Sequence, residues 1–328
     1  MYSHQEERSI EKICYEQEHT RKVVEAIKKK FEDYFDDFIK LEAGHGISEE
    51  TAKKIGNGIG VTNIRIKKCN DITKKFKNII IESIDDFEKD REKYKAIFDK
   101  EALEEYEDDP PYFKSTVLKN ECPIIHSTIH NKRAKELDKY RRDFSISNAN
   151  DLLVVVTNLC NFGEEYYDDF YEKDTYDQIQ DYKDLNLEAL DTEDYIVYGV
   201  IGGGIKSHMI YKVFPAVFSN RSRSALWAMW YLTNKSKFEC EQDSEFLMID
   251  IEKSITQQNY FYPYELFSYY AFQIYLLLKE KADENDVYID PEYRYVIVDV
   301  FLSFIASQHD EEISLLKSNI KDGGYGYF

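Results

Sequence analysis

One cysteine and two histidines have the spacing of metal ligands on a single helical face. Cys122, His126 and His130 lie four residues apart in the segment ECPIIHSTIH. Two histidines at positions i and i+4 can chelate zinc. Pro123 suits a first helical turn, which places Cys122 near the helix cap. The sequence offers no evident fourth ligand and no HExxH motif. We therefore predict surface or packing histidines and no metal, with a zinc site as the alternative.

A second group of residues has the chemistry of a metal-dependent nuclease. Residues 244–252, SEFLMIDIE, are the best strand prediction in the chain, and they carry Asp250 and Glu252 with Lys253 directly after them. Paired carboxylates on a strand can hold divalent metal ions for phosphodiester hydrolysis. The required spacing is (D/E)-x-K, and Ile251 breaks it. We predict no catalytic residues and keep Asp250, Glu252 and Lys253 as the alternative.

A glycine triplet followed by a lysine and a serine is similar in composition to a phosphate-binding loop. In GVIGGGIKS, Ile205 separates Gly204 from Lys206, so the Walker A pattern GxxxxGK[ST] is displaced by one residue. The pattern is not GxGxxG either. Small residues that allow close packing are the simpler interpretation. Nucleotide binding at residues 202–207 is an alternative, and we predict no cofactor.

Two arginines lie at or before the start of a predicted helix. SNRSRSALWAMWYLT is typical of a capped helix whose tryptophans are largely core, with Arg221 and Arg223 near its N-terminus. The helix dipole disfavours positive charge there, so these side chains require a carboxylate or phosphate partner. The candidate anion-binding residues are Gly203, Gly204, Lys206, Arg221 and Arg223.

The glycine triplet and the two arginines fall within a stretch that differs in charge from the rest of the chain. Residues 195–238 contain six basic residues and no Asp or Glu, although the whole chain has a net charge of −20. We call residues 195–238 the basic island. It is either a binding site or a segment that its acidic neighbours neutralise.

The sequence IGNGIGV indicates another phosphate-binding possibility. Gly58-Ile59-Gly60 between two predicted short helices resembles the hairpin of helix-hairpin-helix modules. The resemblance implies backbone amides that hold a phosphate of nucleic acid. The proline usual before that hairpin is missing, and Lys67 occupies a position where an apolar residue is expected. A plain glycine-rich turn is the other interpretation.

Composition excludes several classes of protein. The 328 residues are 43% hydrophobic, which supports a folded core and excludes a disordered chain. No segment reaches 18 apolar residues, and the charged start lacks an apolar signal region, so we expect neither a membrane span nor a secretory signal. The five scattered cysteines, never in CxxC, favour a reducing compartment. We therefore expect a cytoplasmic protein.

The strongest interaction signal is an acidic run rich in tyrosine. Residues 164–194 contain 13 acidic residues and two lysines. A solvated loop and helix is one interpretation. The other is a docking surface for a basic partner, in which spaced carboxylates imitate a phosphate backbone and tyrosines add contact area. The predicted partner-binding residues are Tyr166, Tyr167, Asp168, Asp169, Tyr171 and Asp174.

Two long helices precede the compact region. Residues 9–43 show five heptads of apolar residues, including Val24, Phe31 and Tyr34, and a second helix is predicted from about Asp71 to Tyr106. We predict a long-helix hairpin arm over residues 1–110 that mediates self-association, a connector over 111–144, and a compact C-terminal domain over 145–328 centred on 195–305. The fold class is mainly α with a minor β element. NANDLLVVVTNLCNF is a buried helix or strand, and Asn150 or Asp151 would cap it as a helix.

The favoured function is that of a non-enzymatic protein that oligomerises and docks its acidic surface on a basic partner protein. If that basic surface normally binds nucleic acid, the chain acts as an inhibitor and DNA mimic, for example of a nuclease or defence complex. The first alternative is a nucleic-acid-binding protein or metal-dependent nuclease that uses Gly58–Gly60, Arg221, Arg223, Asp250 and Glu252. The second is a nucleotide-binding enzyme that uses Gly202–Ser207. The net charge makes direct binding of nucleic acid the less favoured of these partners.

Overall fold

The computed structural model describes residues 13–40, 72–132, 134–173, 175–239, 244–250 and 255–318. Its helices in chain order are α1 (Gln17–Ile39), α2 (Ile72–Ile97), α3 (Lys100–Glu105), α4 (Pro110–Tyr112), α5 (Pro123–His130), α6 (Asp138–Ile146), α7 (Ala149–Glu165), α8 (Gly203–Val213), α9 (Arg223–Leu232), α10 (Tyr264–Glu284), α11 (Arg294–Gln308) and α12 (Asp310–Ser318). Strands β1 (Leu247–Asp250) and β2 (Ile255–Gln258) complete the regular elements.

Shorter helical turns join these elements. Two π-helices, Phe113–Glu121 and Tyr166–Phe170, continue α4 and α7. The 3₁₀ turns are Tyr106–Asp108, Lys135–Leu137, Tyr176–Gln178, Tyr182–Leu185, Glu188–Asp191, Glu193–Tyr195 and Pro291–Tyr293. The predicted fold class, mainly α with a minor β element, is confirmed. Within the described ranges, no helix combines the length and hydropathy needed to cross a bilayer.

The buried residues of helix α1 do not follow the heptad spacing of a coiled coil throughout. The helix begins at Gln17, later than the predicted start at residue 9. Of the residues in the predicted heptad pattern, Ile27, Phe31 and Phe38 are buried, whereas Val24 and Tyr34 are only partly buried. Val23 and Phe35, which the heptad pattern did not include, are buried instead. A single helix packed on several neighbours keeps the ordinary repeat of 3.6 residues, because nothing imposes the supercoil of a coiled coil.

The second long helix ends just before a residue that caps the next helix. Helix α2 ends at Ile97, and the side chain of Asp99 accepts a hydrogen bond from the backbone N–H of Ala102 at 2.9 Å. Asp99 therefore caps α3, because its carboxylate satisfies an amide that lacks a helical partner. The single helix predicted to run to Tyr106 is two helices.

The two long helices lie against the C-terminal part of the chain. Helix α1 contacts α9, α10 and α11, and helix α2 contacts α8 and α11. The rings of Phe31 and Phe301 are 5.3 Å apart, and the ring of Phe87 lies 5.2 Å from that of Tyr211. The buried apolar side chains of α1 and α2 are thus packed within the chain, and self-association through these helices stays a prediction. The domain boundaries at residues 110 and 144 stay a prediction.

The centre of the core is formed by α9, α10 and α11. Every residue of α9 from Ala225 to Leu232 is buried, including Trp227, Trp230 and Tyr231, as the sequence predicted. The side chain of Ser222 caps this helix by accepting from the N–H of Ala225 at 3.1 Å. Lys206 of α8 and Arg221, which directly precedes the cap of α9, are buried in this core.

The structure decides between helix and strand for residues 148–162 and gives the predicted strand a pairing partner. NANDLLVVVTNLCNF forms helix α7, and its cap is Asn148, whereas the sequence predicted Asn150 or Asp151. The predicted strand is β1, which pairs antiparallel with β2 so that Leu247 faces Gln258 and Asp250 faces Ile255.

Candidate interaction site

The basic island supplies interior charges. Lys206 is 1% exposed, and its ammonium group donates to the backbone carbonyl of Leu190. Burial, with a smaller contribution from the charge of Arg221, lowers the pKa of Lys206 to about 8. Arg221 is also 1% exposed; its guanidinium donates to the carbonyl of Tyr262 and lies 3.8 Å from a carboxylate oxygen of Asp191. Neither side chain presents its charge to solvent.

The glycine triplet accommodates one of these buried side chains. A Cβ atom added at Gly203 would collide with the guanidinium of Arg221 and with the carbonyl oxygen of Tyr260, and one at Gly204 would lie 3.0 Å from the ring of Tyr260. The triplet therefore allows close packing around a buried arginine, which agrees with the simpler interpretation of the sequence. Of the candidate anion-binding side chains, only Arg223 is exposed.

Other basic residues of the island also have partners within the chain. The ammonium group of Lys212 lies 2.6 Å from Asp90, donates to the carbonyl of Phe87 at 2.9 Å and lies 4.2 Å from the centre of that ring. Lys235 pairs with Glu312 at 2.5 Å. Lys212 of α8 and Lys235, which follows α9, therefore join the basic island to acidic residues that precede it and follow it in the sequence.

The tyrosines of the acidic run point mainly into the protein. Tyr166 is buried and donates to the carbonyl of Leu185 at 2.7 Å. Tyr167 is partly buried and donates to Glu292 at 2.8 Å. Tyr171 is also partly buried, with its ring packed against the core. These three predicted partner-binding residues therefore anchor the run to the rest of the protein.

A buried arginine holds the same run in place. Arg294 is fully buried, donates to the carbonyl of Ala216 at 2.5 Å and lies 3.0 Å from the carboxylate of Asp177. Its guanidinium carbon lies 4.3 Å from the ring centre of Tyr176 and 4.8 Å from that of Tyr275. The aromatic faces and the carboxylate compensate for the desolvation of the guanidinium.

With the tyrosines turned inward, the run exposes carboxylates and one phenylalanine. Asp168 and Asp169 are exposed, and Phe170, between them and Tyr171, is 61% exposed. Asp174, the sixth predicted partner-binding residue, lies outside the described residues. The sequence did not single out Phe170, although it is the aromatic residue directly after the two aspartates.

An acidic groove lies at the other end of α7. It has a volume of about 530 Å³ and lies between α6, the first three turns of α7 and the turn at residues 193–198. Three apolar side chains at the groove are strongly exposed: Ile146 (77%), Tyr198 (64%) and Val154 (54%). Its charged lining residues are all acidic: Asp143, Asp151, Glu193 and Asp194. We call this site the acidic groove.

The far wall of the acidic groove is a tight turn held by hydrogen bonds. Val197 and Ile201 form an isolated antiparallel bridge. Gly199 between them has φ +79°, and a Cβ atom there would lie 2.5 Å from the Asp143 carboxylate, so the position requires glycine. Tyr198 at the tip donates to Glu193 at 3.0 Å. The turn therefore presents an aromatic ring and a carboxylate together.

One basic residue bonds to this region: Lys114, whose ammonium group is directed at backbone oxygens. Its ammonium group donates to the carbonyl of Ser147 at 2.6 Å and to that of Ser145 at 3.0 Å. These bonds fix the connection between α6 and α7. Of the four carboxylates of the groove, those of Asp151, Glu193 and Asp194 belong to exposed residues, Asp143 is partly buried, and the lining contains no basic residue.

Helical spacing connects the acidic groove with Asp168 and Asp169. One face of α7 carries four residues that are separated by seven, four and three positions: Asp151, Asn158, Phe162 and Glu165. The ring of Tyr195 packs 5.7 Å from Phe162. Burial, then the charges of Asp194 and Glu165, raise the pKa of Tyr195. We call six exposed acids of α7, its π-helical extension and the turn bonded to Asn158 the acidic stripe: Asp151, Glu165, Asp168, Asp169, Glu193 and Asp194.

The alternative zinc ligands do not converge. Cys122 is buried, and burial raises the pKa of its thiol to about 12. His126 and His130 are exposed, their rings stack at 4.1 Å, and Nδ1 of His130 lies 2.9 Å from the carbonyl of His126. Across the described ranges, no group of three or more His, Cys, Asp or Glu side chains is arranged to hold a metal ion.

Two other sequence candidates fall partly or wholly outside the described residues. Asp250 is the last residue of β1 and is partly buried, whereas Glu252 and Lys253 lie outside the described ranges. The hairpin at Gly58–Gly60 also lies outside them.

Sequence reasoning missed the acidic groove, although two signals point to it. Ile146 lies between two serines at the end of a helix, and Val154 lies off the buried stripe of α7 formed by residues such as Leu152 and Val156. Comparisons with protein-family models, with curated proteins and with solved structures give no match for this chain.

Proposed function

We propose that this chain is a non-enzymatic interaction protein that docks its acidic stripe on a basic surface of a partner protein. The observation that carries the proposal is the contrast between the two charged regions. The acidic stripe is exposed and continuous with exposed apolar side chains, whereas Lys206 and Arg221 of the basic island are enclosed. The accessible charge that could attract a partner is therefore negative, in keeping with the net charge of −20.

The size of the acidic stripe supports a partner that normally binds nucleic acid. Asp151 and Asp169 are eighteen residues apart along α7 and its π-helical extension, which corresponds to ~27 Å at ~1.5 Å per residue. A phosphate backbone presents one charge per ~3.4 Å of each strand. The stripe thus matches the length of about eight base pairs. A protein surface built to hold such a strand would meet carboxylates in place of phosphates, and binding would inhibit it.

Charge alone would give a weak complex. Exposed ion pairs contribute ~0–1 kcal/mol each, and their main effect is to accelerate and orient the encounter. The exposed side chains of Phe170, Val154 and Tyr198 add apolar area beside the carboxylates. Interfaces gain most of their affinity from a few such anchors surrounded by polar contacts.

The proposal is tested by neutralising the acidic stripe and an equal number of acids elsewhere. The stripe variant carries Asp151→Asn, Asp168→Asn, Asp169→Asn and Asp194→Asn. The control carries Asp36→Asn, Glu82→Gln, Asp85→Asn and Asp283→Asn, all exposed on α1, α2 and α10. The two variants have the same net charge, so a difference between them reports position.

Binding is measured with a fluorescently labelled oligolysine peptide across a salt series, and with a purified basic DNA-binding domain in competition with duplex DNA. We expect the stripe variant to bind about tenfold more weakly than the control, which corresponds to about 1.4 kcal/mol. Equal weakening in both variants would mean that only net charge matters and would contradict a docking surface. Binding of duplex DNA by the unmodified chain itself would favour the nucleic-acid-binding alternative.

A further inference from the structure

The acidic groove shares Asp151, Glu193 and Asp194 with the acidic stripe. It differs from the other part of the stripe because its carboxylates surround apolar side chains. Asp143 and Asp151 lie on the wall formed by α6 and α7, and Glu193 and Asp194 lie on the wall formed by the turn. Ile196 and Val197 of the same turn also line the groove. Its volume of about 530 Å³ is within the range of roughly 300–1,000 Å³ that ligand sites occupy.

The apolar residues of the groove are exposed to an unusual degree. Among the described residues, eleven large apolar side chains are exposed, and three of them, Ile146, Val154 and Tyr198, line this one site. Exposed apolar residues are ordinary when scattered, but a cluster with a polar rim marks a binding surface. A partner that covered these three side chains would remove their apolar area from water.

From this arrangement we propose that the acidic groove binds a partner segment in which an apolar side chain lies between lysine or arginine residues. The proposal rests on the proposed function and names the chemistry that the partner must present. The apolar side chain enters between Val154 and Tyr198. The flanking cations meet Asp143 and Asp151 on one side and Glu193 and Asp194 on the other.

Charge complementarity selects this occupant over others. A purely apolar segment would partly desolvate four carboxylates of the lining and offer them no positive charge, which is unfavourable. An acidic segment or a nucleic acid would be repelled by the same four groups. A purely basic segment would satisfy the carboxylates and leave the apolar cluster exposed. Only a segment with both features complements the whole lining.

The test compares two labelled peptides of equal charge on the full chain. One peptide repeats the pattern Lys-Leu-Lys, and the other replaces each leucine with serine. Fluorescence polarisation at a fixed salt concentration should give an affinity for the leucine peptide about tenfold higher, because burial of one leucine contributes that much or more. Substitution V154S or Y198S should remove about fivefold or more of the affinity for the leucine peptide and leave that for the serine peptide unchanged.

Matched variants at exposed apolar residues outside the groove control for general effects. Ile81→Ser corresponds to Val154→Ser, and Tyr288→Ser corresponds to Tyr198→Ser, since Ile81 and Tyr288 are also exposed. These controls should bind both peptides like the unmodified chain. Circular dichroism of each variant verifies that its helices are retained.

The outcomes separate this inference from the proposed function. If the unmodified chain binds both peptides equally and the stripe variant binds both more weakly, the groove assignment is overturned and the proposed function is left intact. Insensitivity of both peptides to the stripe variant would overturn both. Concentration-dependent dimerisation that Val154→Ser abolishes, without peptide binding, would assign the groove to a second copy of the chain and overturn the basic–apolar segment.

Discussion

The side-chain amide of Asn158 donates a hydrogen bond to the backbone carbonyl of Asp194 over an N···O distance of 2.9 Å. This bond joins the middle of α7 to the turn that carries Glu193, Asp194 and Tyr198. The acidic groove therefore depends on a contact between residues 36 positions apart in the sequence. It connects the two walls on which the proposed binding site is built.

Removal of this amide should loosen the turn. We expect Asn158→Ala to lower the free energy of unfolding by about 1 kcal/mol, the usual net contribution of a hydrogen bond, and to weaken binding of the Lys-Leu-Lys peptide. Asn161→Ala, one turn further along α7, is the control and should change neither quantity appreciably. Urea denaturation and fluorescence polarisation measure the two effects. Unchanged peptide affinity in Asn158→Ala would show that the groove does not require this bond.

A second prediction concerns Gly199 at the tip of the same turn. Gly199→Ala should destabilise the protein by about 1–3 kcal/mol, because φ +79° is strained for alanine and its Cβ would meet the Asp143 carboxylate. The double variant Gly199→Ala/Asp143→Ala removes the collision but keeps the backbone strain. Thermal unfolding of both variants should therefore show partial recovery in the double variant. Full recovery would mean that the backbone tolerates alanine there.

The pH dependence of stability should contain a contribution from Glu265 in the first turn of α10. Glu265 is 5% exposed, and burial, then Asp191 and Glu188, raise its pKa to about 7. A raised carboxyl pKa means that the folded state binds the proton more tightly than the unfolded state. Below the unfolded pKa of about 4.3, Glu265 is protonated in both states and does not reduce the free energy of unfolding. As the pH rises from there to about 7, the free energy of unfolding falls, because the buried carboxyl resists ionisation.

Glu265→Gln should therefore change the shape of the stability profile. We expect the variant to gain stability relative to the unmodified protein as the pH rises from 4 to 8, by up to about 3 kcal/mol at pH 8. Glu280→Gln, an exposed position on the same helix, is the control. Denaturant titrations at several pH values measure the difference. A difference that stays constant over this range would contradict a raised pKa at Glu265.

Two basic residues that share one acidic partner provide a fourth prediction. Arg294 and Lys279 both bond to Asp177, but Arg294 is fully buried and Lys279 is 41% exposed. Arg294→Ala should lower the free energy of unfolding by about 3–5 kcal/mol, because it removes a buried ion pair and leaves a cavity. Lys279→Ala should lower it by less than about 1 kcal/mol. Chemical denaturation of the two variants tests the contrast, and equal effects would contradict it.

Arg294 also links stability to the acidic stripe. Because its guanidinium lies against Tyr171 and Tyr176, the Arg294→Ala variant should release the segment that follows Asp168 and Asp169. Limited proteolysis should then cleave first between residues 166 and 182. Cleavage of the Lys279→Ala variant should follow the pattern of the unmodified chain.

The sequence by itself determined the features that depend on neighbouring residues. The mainly α fold class, the capped helix α9, the burial of Trp227 and Trp230, and a strand within residues 244–252 all follow from local patterns. Caps act within one turn, and an apolar periodicity marks which face of an element is buried. Such features need no knowledge of what the element packs against.

Only the tertiary structure decided where the charges and aromatic rings point. The six basic residues of the island are clear in the sequence, but Lys206 and Arg221 are enclosed because Leu190, Asp191 and Tyr262 come from distant segments to accept their hydrogen bonds and charge. Tyr166 and Tyr176 turn inward because the core offers carbonyl and guanidinium partners, which leaves Asp168, Asp169 and Phe170 outside. The acidic groove arises in the same way, since its walls meet only when the turn at residues 193–201 folds against α7. Burial of a polar group depends on partners that long-range packing supplies, and the order of residues along the chain does not specify them.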